Sequence, residues 1–212
     1  MSPIPLGVLA SSHKSGTALT PTFLQTAINA SDFTTYTFTA QPLGSASSSR
    51  RIVVAVAGRH FSTAISVSSV TIGGVSAAID VATGSALNTV AIASLAVPTG
   101  TTGDVVITFS SGSQRCGIAM WTVDGAASTF SAGGTGTGGA SVASVAGGCV
   151  IAHALNTASG AATWTGITKR YEEAIEGTTI LHSGGDVATP SAQTVAASVS
   201  WTGALVAAVA YA

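Results

Sequence analysis

Glu172 and Glu176, four residues apart in Lys169–Glu176 (KRYEEAIE), are the nearest thing in this sequence to a general acid and base. Glycoside hydrolysis would need two such carboxyls about 5–9 Å apart across a sugar cleft. The same run also reads as a solvated loop or helical turn. A third reading is a polar contact patch, in which Lys169, Arg170, Glu172, Glu173 and Glu176 meet a neighbouring subunit and their mixed signs set the register. This run holds five of the chain's fifteen charged residues.

Metal and nucleophile chemistry has less to work with. Cys149 and His153 share a strand face, but four residues of strand separate them by about 13 Å, too far to ligate one ion. His13, His60 and His182 stand alone. Gly134–Gly139 (GTGTGG) fits G-x-G-x-x-G, yet a nucleotide-binding turn needs a helix after it, and ASVASV reads as strand. That stretch is expected to be a flexible loop. Gly7–Ser15 resembles a phosphate loop until His13 takes the place of the second glycine. No G-x-S-x-G occurs, and His182–Asp186 (HSGGD) reads as a loop. The reading is therefore of a protein that is not an enzyme, with no catalytic residue, no metal ligands and no cofactor. Cys116 and Cys149 are expected to be buried thiols, with a disulfide as the alternative.

The elements that would carry any site are strands. Only 7% of the 212 residues are charged, where about 25% is usual. A surface so poor in charge suits a protein covered by neighbours, a homo-oligomer or a larger assembly. Seven Lys and Arg form no basic stripe, which argues against nucleic acid. Val187–Ala212 is uncharged but rich in Ser, Thr and Ala and broken by Pro190, which argues against membrane insertion. The start, MSPIPLGVLASSHKSG, lacks the basic residues of a secretory signal.

Asp104–Gly125 reads as two strands joined by a polar turn at the centre of a sheet covered on both faces. Arg51–Ala57, Val67–Ile72 and Thr89–Val97 are further strands. Gly73-Gly74 and Gly147-Gly148 mark two hairpins. About twelve strands result, at the spacing of an all-β antiparallel sandwich or jelly roll. Ile52, Val54, Val105, Ile107, Ile118, Met120 and Val150 are its expected core. No fixed-period repeat is visible.

Residues 1–31 break this pattern. Pro3, Pro5 and Pro21 punctuate them, and Thr20-Pro21 followed by Phe23, Leu24, Ala27 and Ile28 predicts a short helix. They read as an arm that docks on the β-sandwich domain, 32–212, or on a neighbour. Leu6, Val8, Leu9, Phe23 and Leu24 are its candidate anchors.

The runs SRRIVVAVAGR, SSVTIGGVSA, GDVVITFSSGSQRCGIAMW and WTGITKRYEE resemble β-sandwich virion proteins of tailed bacteriophages, over roughly residues 32–212. The resemblance implies a decoration, collar or tail accessory protein located in the virion, often multimeric, whose partners are other capsid or tail proteins. Its alternative is a fibre or spike domain that binds a host-surface glycan or receptor. It carries over no catalytic residue.

Overall fold

The computed structural model describes residues 18–126, 130–157 and 160–212. Among these residues there are seventeen strands and no helix. The first nine are β1 (Thr22–Asn29), β2 (Phe33–Pro42), β3 (Arg50–Arg59), β4 (Val67–Ile72), β5 (Val75–Ser76), β6 (Ala78–Gly84), β7 (Asn88–Ala96), β8 (Thr102–Ser113) and β9 (Arg115–Asp124). The other eight are β10 (Ala132–Thr137), β11 (Gly139–Ser144), β12 (Gly148–Thr157), β13 (Trp164–Thr165), β14 (Thr168–Glu176), β15 (Ile180–Thr189), β16 (Gln193–Val199) and β17 (Leu205–Tyr211).

The antiparallel sandwich expected from the sequence is present, and it is doubled. Four sheets stack in the order β2-β8-β4-β5, β1-β9-β3-β7-β6, β10-β17-β12-β15-β14 and β11-β16-β13. Three apolar layers fill the spaces between them. Every residue of the expected core is buried. Ile52, Val54, Val105, Ile107, Ile118 and Met120 lie in the first layer and Val150 in the third.

The two halves have one topology. Replacing β1, β2, β3, β4, β6, β7, β8 and β9 by β10, β11, β12, β13, β14, β15, β16 and β17 converts the first pair of sheets into the second, with β5 left over. Their packing is also self-complementary in part. Across the middle layer, hereafter the seam, β1 contacts β14 and β6 contacts β10, β6 contacts β17 and β9 contacts β14, and β3 contacts β12. Exchanging the halves maps each of the first two pairs of contacts onto itself, and β3/β12 likewise. β7 also packs on β12 and β17, whereas the exchanged pairs, β15 with β3 and with β9, lie less close, so the two-fold relation of an isologous interface covers only part of the seam.

This stacking explains the apolar runs. Strands of the two inner sheets meet a core on both faces, so RIVVAVA and LVAAVAY are buried at every position. Outer strands alternate. In β8, Val105, Ile107 and Phe109 are buried while Val106, Thr108 and Ser110 reach the surface to varying degrees.

Several local expectations change. β8 and β9 do not pair with each other; the turn at Gln114 carries the chain from an outer sheet to an inner one. Gly147-Gly148 does the same between β11 and β12 and closes no hairpin. Gly73-Gly74 does close one, with φ of 59° and 81° and Ile72 opposite Val75. Residues around Thr20-Pro21 begin no helix: Thr22–Asn29 is strand β1, paired with β9, because alternate residues there reach two different cores. Leu24 packs on the first core and Phe23 on the seam. Leu6, Val8, Leu9 and the phosphate-loop-like Gly7–Ser15 lie outside the described residues.

Candidate functional site

The expected contact patch is a strand, β14, at the edge of an inner sheet, neither loop nor helical turn. Lys169 Nζ meets Glu172 Oε2 at 3.0 Å and donates to the Ala162 carbonyl, while Glu172 Oε2 also accepts from the Ala162 amide. Arg170 donates from two nitrogens to Asp186, both at 2.8 Å. Glu176 pairs with Arg115 at 3.0 Å and lies 3.9 Å from Arg59, both in the other half. Glu173 is exposed. A strand sets residues four apart by roughly 13 Å, wider than either glycosidase geometry. Glu172 and Glu176 accordingly engage different cations.

Polar groups concentrate in the seam. Trp121 Nε1 of the first half donates to Asp186 Oδ2 of the second at 3.0 Å. Tyr211 donates from its hydroxyl to Asp80 at 2.7 Å, with the Arg51 guanidinium 6.0 Å from the Tyr211 ring centre. Burial raises the Asp80 carboxyl above its usual range, opposed by hydrogen bonds from Ser94 and Tyr211 and by the Arg51 charge. Phe23 joins the halves through rings, edge-on to Trp121 at 5.3 Å and stacked on Tyr171 at 5.6 Å.

One cluster in the seam is less well satisfied. His153 Nδ1 and the Tyr171 hydroxyl lie 2.5 Å apart. His182 packs edge-on against both rings, 5.0 Å from Tyr171 and 5.7 Å from His153. Both histidines are 0% exposed. His153 Nε2 and both ring nitrogens of His182 have no hydrogen-bond partner. Burial pushes His153 down to about 3, against weaker support from the backbone of Val56 and Ser183. Burial, then the neighbouring His153, pushes His182 well below its ordinary value.

Glycines make room for this cluster. A Cβ on Gly117 of β9 would lie 2.6 Å from Ile175 Cγ2 and 2.9 Å from His182 Cε1. One on Gly184 would lie 2.9 Å from the Tyr171 ring. His182–Asp186, expected as a loop, is thus part of strand β15, and its glycines permit close approach of neighbouring groups. The same holds for GTGTGG, which forms β10, a turn and the start of β11: a Cβ on Gly134 would sit 2.4 Å from the Ser141 carbonyl oxygen.

Cys116 and Cys149 are free and buried, one in the first core and one in the seam. Burial drives the Cys149 thiol up to about 12 and the Cys116 thiol well above its ordinary value. Among the described residues, no three His, Cys, Asp or Glu are grouped to hold a metal ion. A cavity of about 320 Å³, lined by Leu43, Ile72, Val75, Leu95, Val97 and Pro98 among others, has no ionisable side chain in its wall.

The outer surfaces are plain by comparison. The face of β2, β8 and β4 shows Thr35, Thr37, Thr39, Ser69 and Ser110. The equivalent face of β11, β16 and β13 shows Ser141, Ala143, Thr165, Thr194, Ala196 and Ser198. At one end of the first half, Phe33 and Phe61 are about half exposed beside the Arg115–Asp32 ion pair.

Sequence reasoning passed over the seam residues Asp80 and Tyr211, placed Asp186 in a loop, and treated His153 and His182 separately. The available signal was a polar residue inside an apolar run: His153 in CVIAHAL and Asp80 in AAIDVAT. No family model, no curated protein sequence and no solved structure matches this chain.

Proposed function

We propose that this chain is a non-enzymatic structural component of a bacteriophage particle, a capsid decoration, collar or tail accessory protein that works through contacts with neighbouring subunits. The observation that carries the reading is the pair of equivalent outer faces, built mainly of Thr, Ser and Ala, with Asp104 near the start of β8 bonded to the Ala40 amide, and turned to opposite sides of the stack. Such faces can lie against neighbours while desolvating little charge. Several of the chain's charged groups act within it: Asp186, Asp80, Glu176, Arg170 and Arg115 hold strands and halves together.

A second reading, a fibre domain that binds a host-surface glycan, is favoured by Phe33 and Phe61, exposed beside Arg115 and able to stack on a sugar face. Quantitative mass spectrometry of purified particles separates the two. Tens to hundreds of copies per particle support decoration. A few copies, with saturable binding to host cells, support the fibre. Absence from particles removes both.

A further inference from the structure

We infer that the seam is an acid-sensitive joint: protonation of His153 and His182 separates the two halves while each sandwich stays folded. The inference rests on where the imidazoles lie and is independent of the proposed function. His153 belongs to β12 and His182 to β15, in one inner sheet, and both point into the layer shared with the other half. His182 reaches across it to Gly117.

A proton on either ring would create a cation with no carboxylate bonded to it. The groups around the pair are accounted for element by element. β14 supplies Tyr171, whose hydroxyl is already shared with His153, the exposed Glu173 opposite His182, and Glu176 held by Arg115 and Arg59. β15 supplies Asp186, whose oxygens accept from Arg170 and Trp121. β12 adds Cys149, four residues away on the same face. β3 brings Val56 and, at its end, Arg59, and β9 brings Gly117 and, at its start, Arg115. β1 contributes Phe23 and Ile28, β7 contributes Val90 and Ile92, and β17 contributes Leu205 and Ala207, none of which titrates. Arg59 and Arg115 are themselves engaged by Glu176, so the ion pairs at this end of the seam leave no carboxylate bonded to either ring.

The sign follows. Both histidines have folded values below 6.5, so the neutral rings are favoured in the closed state. The full stability of the seam is present above pH 6.5 and falls as the pH drops below it. Each histidine that titrates normally once the seam opens shifts the opening equilibrium by roughly 25-fold between pH 7 and pH 5, and the pair by about 600-fold.

The two cysteines are built-in reporters, Cys149 in the seam and Cys116 inside the first sandwich. Reactivity of the full-length chain toward 4,4′-dithiodipyridine, which reacts with thiols in acid, is measured from pH 7 to pH 4.5. Cys149 should gain reactivity steeply below pH 6.5 while Cys116 stays protected. H153Q/H182L should flatten that dependence. Exposure of both thiols together would overturn the joint and indicate global acid unfolding. A slope equal in wild type and variant would also overturn it and move the effect to carboxylates. Should the variant fail to fold, ring carbon NMR of the wild type decides: an imidazole that titrates near 6.5 in the closed protein overturns the inference, and rings neutral down to the onset of opening support it.

Discussion

Toward their shared core, β8 of the first half presents Val105, Ile107 and Phe109, and its counterpart β16 presents Val195, Ala197 and Val199. The contrast extends through both sandwiches. The first adds Tyr36, Phe38, Ile118 and Met120; the second adds Ala152, Ala154, Ala208 and Ala210, with Trp201 as a large ring among them. One strand order therefore supports two packing solutions. The first fills its space with large side chains, whereas the second relies on small ones. Glycines in β10 lie so near β11 that Gly134 and Gly136 would place a Cβ 2.4 and 2.1 Å from its carbonyl oxygens. The first core is thus vulnerable to lost volume and the second to added volume.

The largest effect should come from breaking that asymmetry at Phe109. Its ring lies over Gly58, where a Cβ would be only 2.4 Å away, so on that side the void would be backed by bare backbone. Phe109→Ala should cost about 3–5 kcal/mol, read as a lowered midpoint in urea. In the second core the damaging change runs the other way, and Ala208→Leu should cost about 1–3 kcal/mol through overpacking. If Ala208→Leu were neutral or stabilising, the second core would hold spare room and the contrast would be wrong.

These differences bear on what could be read from the residues alone. Alternation in β8 and continuous apolar runs in β3 and β12 were enough to identify strands and the core, but the cover expected on both faces is found for β9 and not for β8, whose Ser110 row faces outward. The duplication was hidden because it is a repeat of topology. RIVVAVA and CVIAHAL occupy equivalent strands, but each half spells its core with different residues, and β5 has no counterpart in the second half. Sheet changes were hidden too. A short polar turn such as Ser111–Gln114 looks alike whether it closes a hairpin or crosses between sheets. In the seam, Asp186 follows two glycines and looked like loop, because the close approach those glycines permit involves β12 and β14, which the local sequence does not reveal.

The seam sets a second, smaller test, since there the halves are compared through one shared carboxylate. Asp186 is buried and accepts from Trp121 of the first half and twice from Arg170 of the second. Removing it as Asp186→Ala leaves the indole N–H and the guanidinium unpaired. Arg170 is more than a third exposed and can turn to water, so the loss should be about 2–3 kcal/mol, below the 3–5 kcal/mol of a fully buried pair. Trp121→Phe removes the donor together with part of the indole volume, so the double variant with Asp186→Ala is needed to isolate the bond, and the coupling between the two changes should be smaller than the loss in Asp186→Ala. A coupling in urea denaturation equal to that whole loss would leave Arg170 no share.

The smallest effect on stability should come from the outer faces, where the comparison between halves concerns function. Thr37 on the first half and Thr194 on the second are exposed strand positions. Lysine at either should change stability by no more than about 0.5 kcal/mol, since no buried contact is lost. For a subunit held by contacts along these faces, however, the added charge must be desolvated when a neighbour docks. Thr37→Lys and Thr194→Lys should therefore leave the thermal midpoint nearly unchanged and lower the copy number in purified particles. If both variants lose copies, the duplication supplies two working faces and the chain bridges neighbours on opposite sides. Loss from one variant alone would mean that the halves, alike in topology, have divided their roles. Wild-type copy number in both would remove the outer faces from assembly and direct attention to the end marked by Phe33 and Phe61.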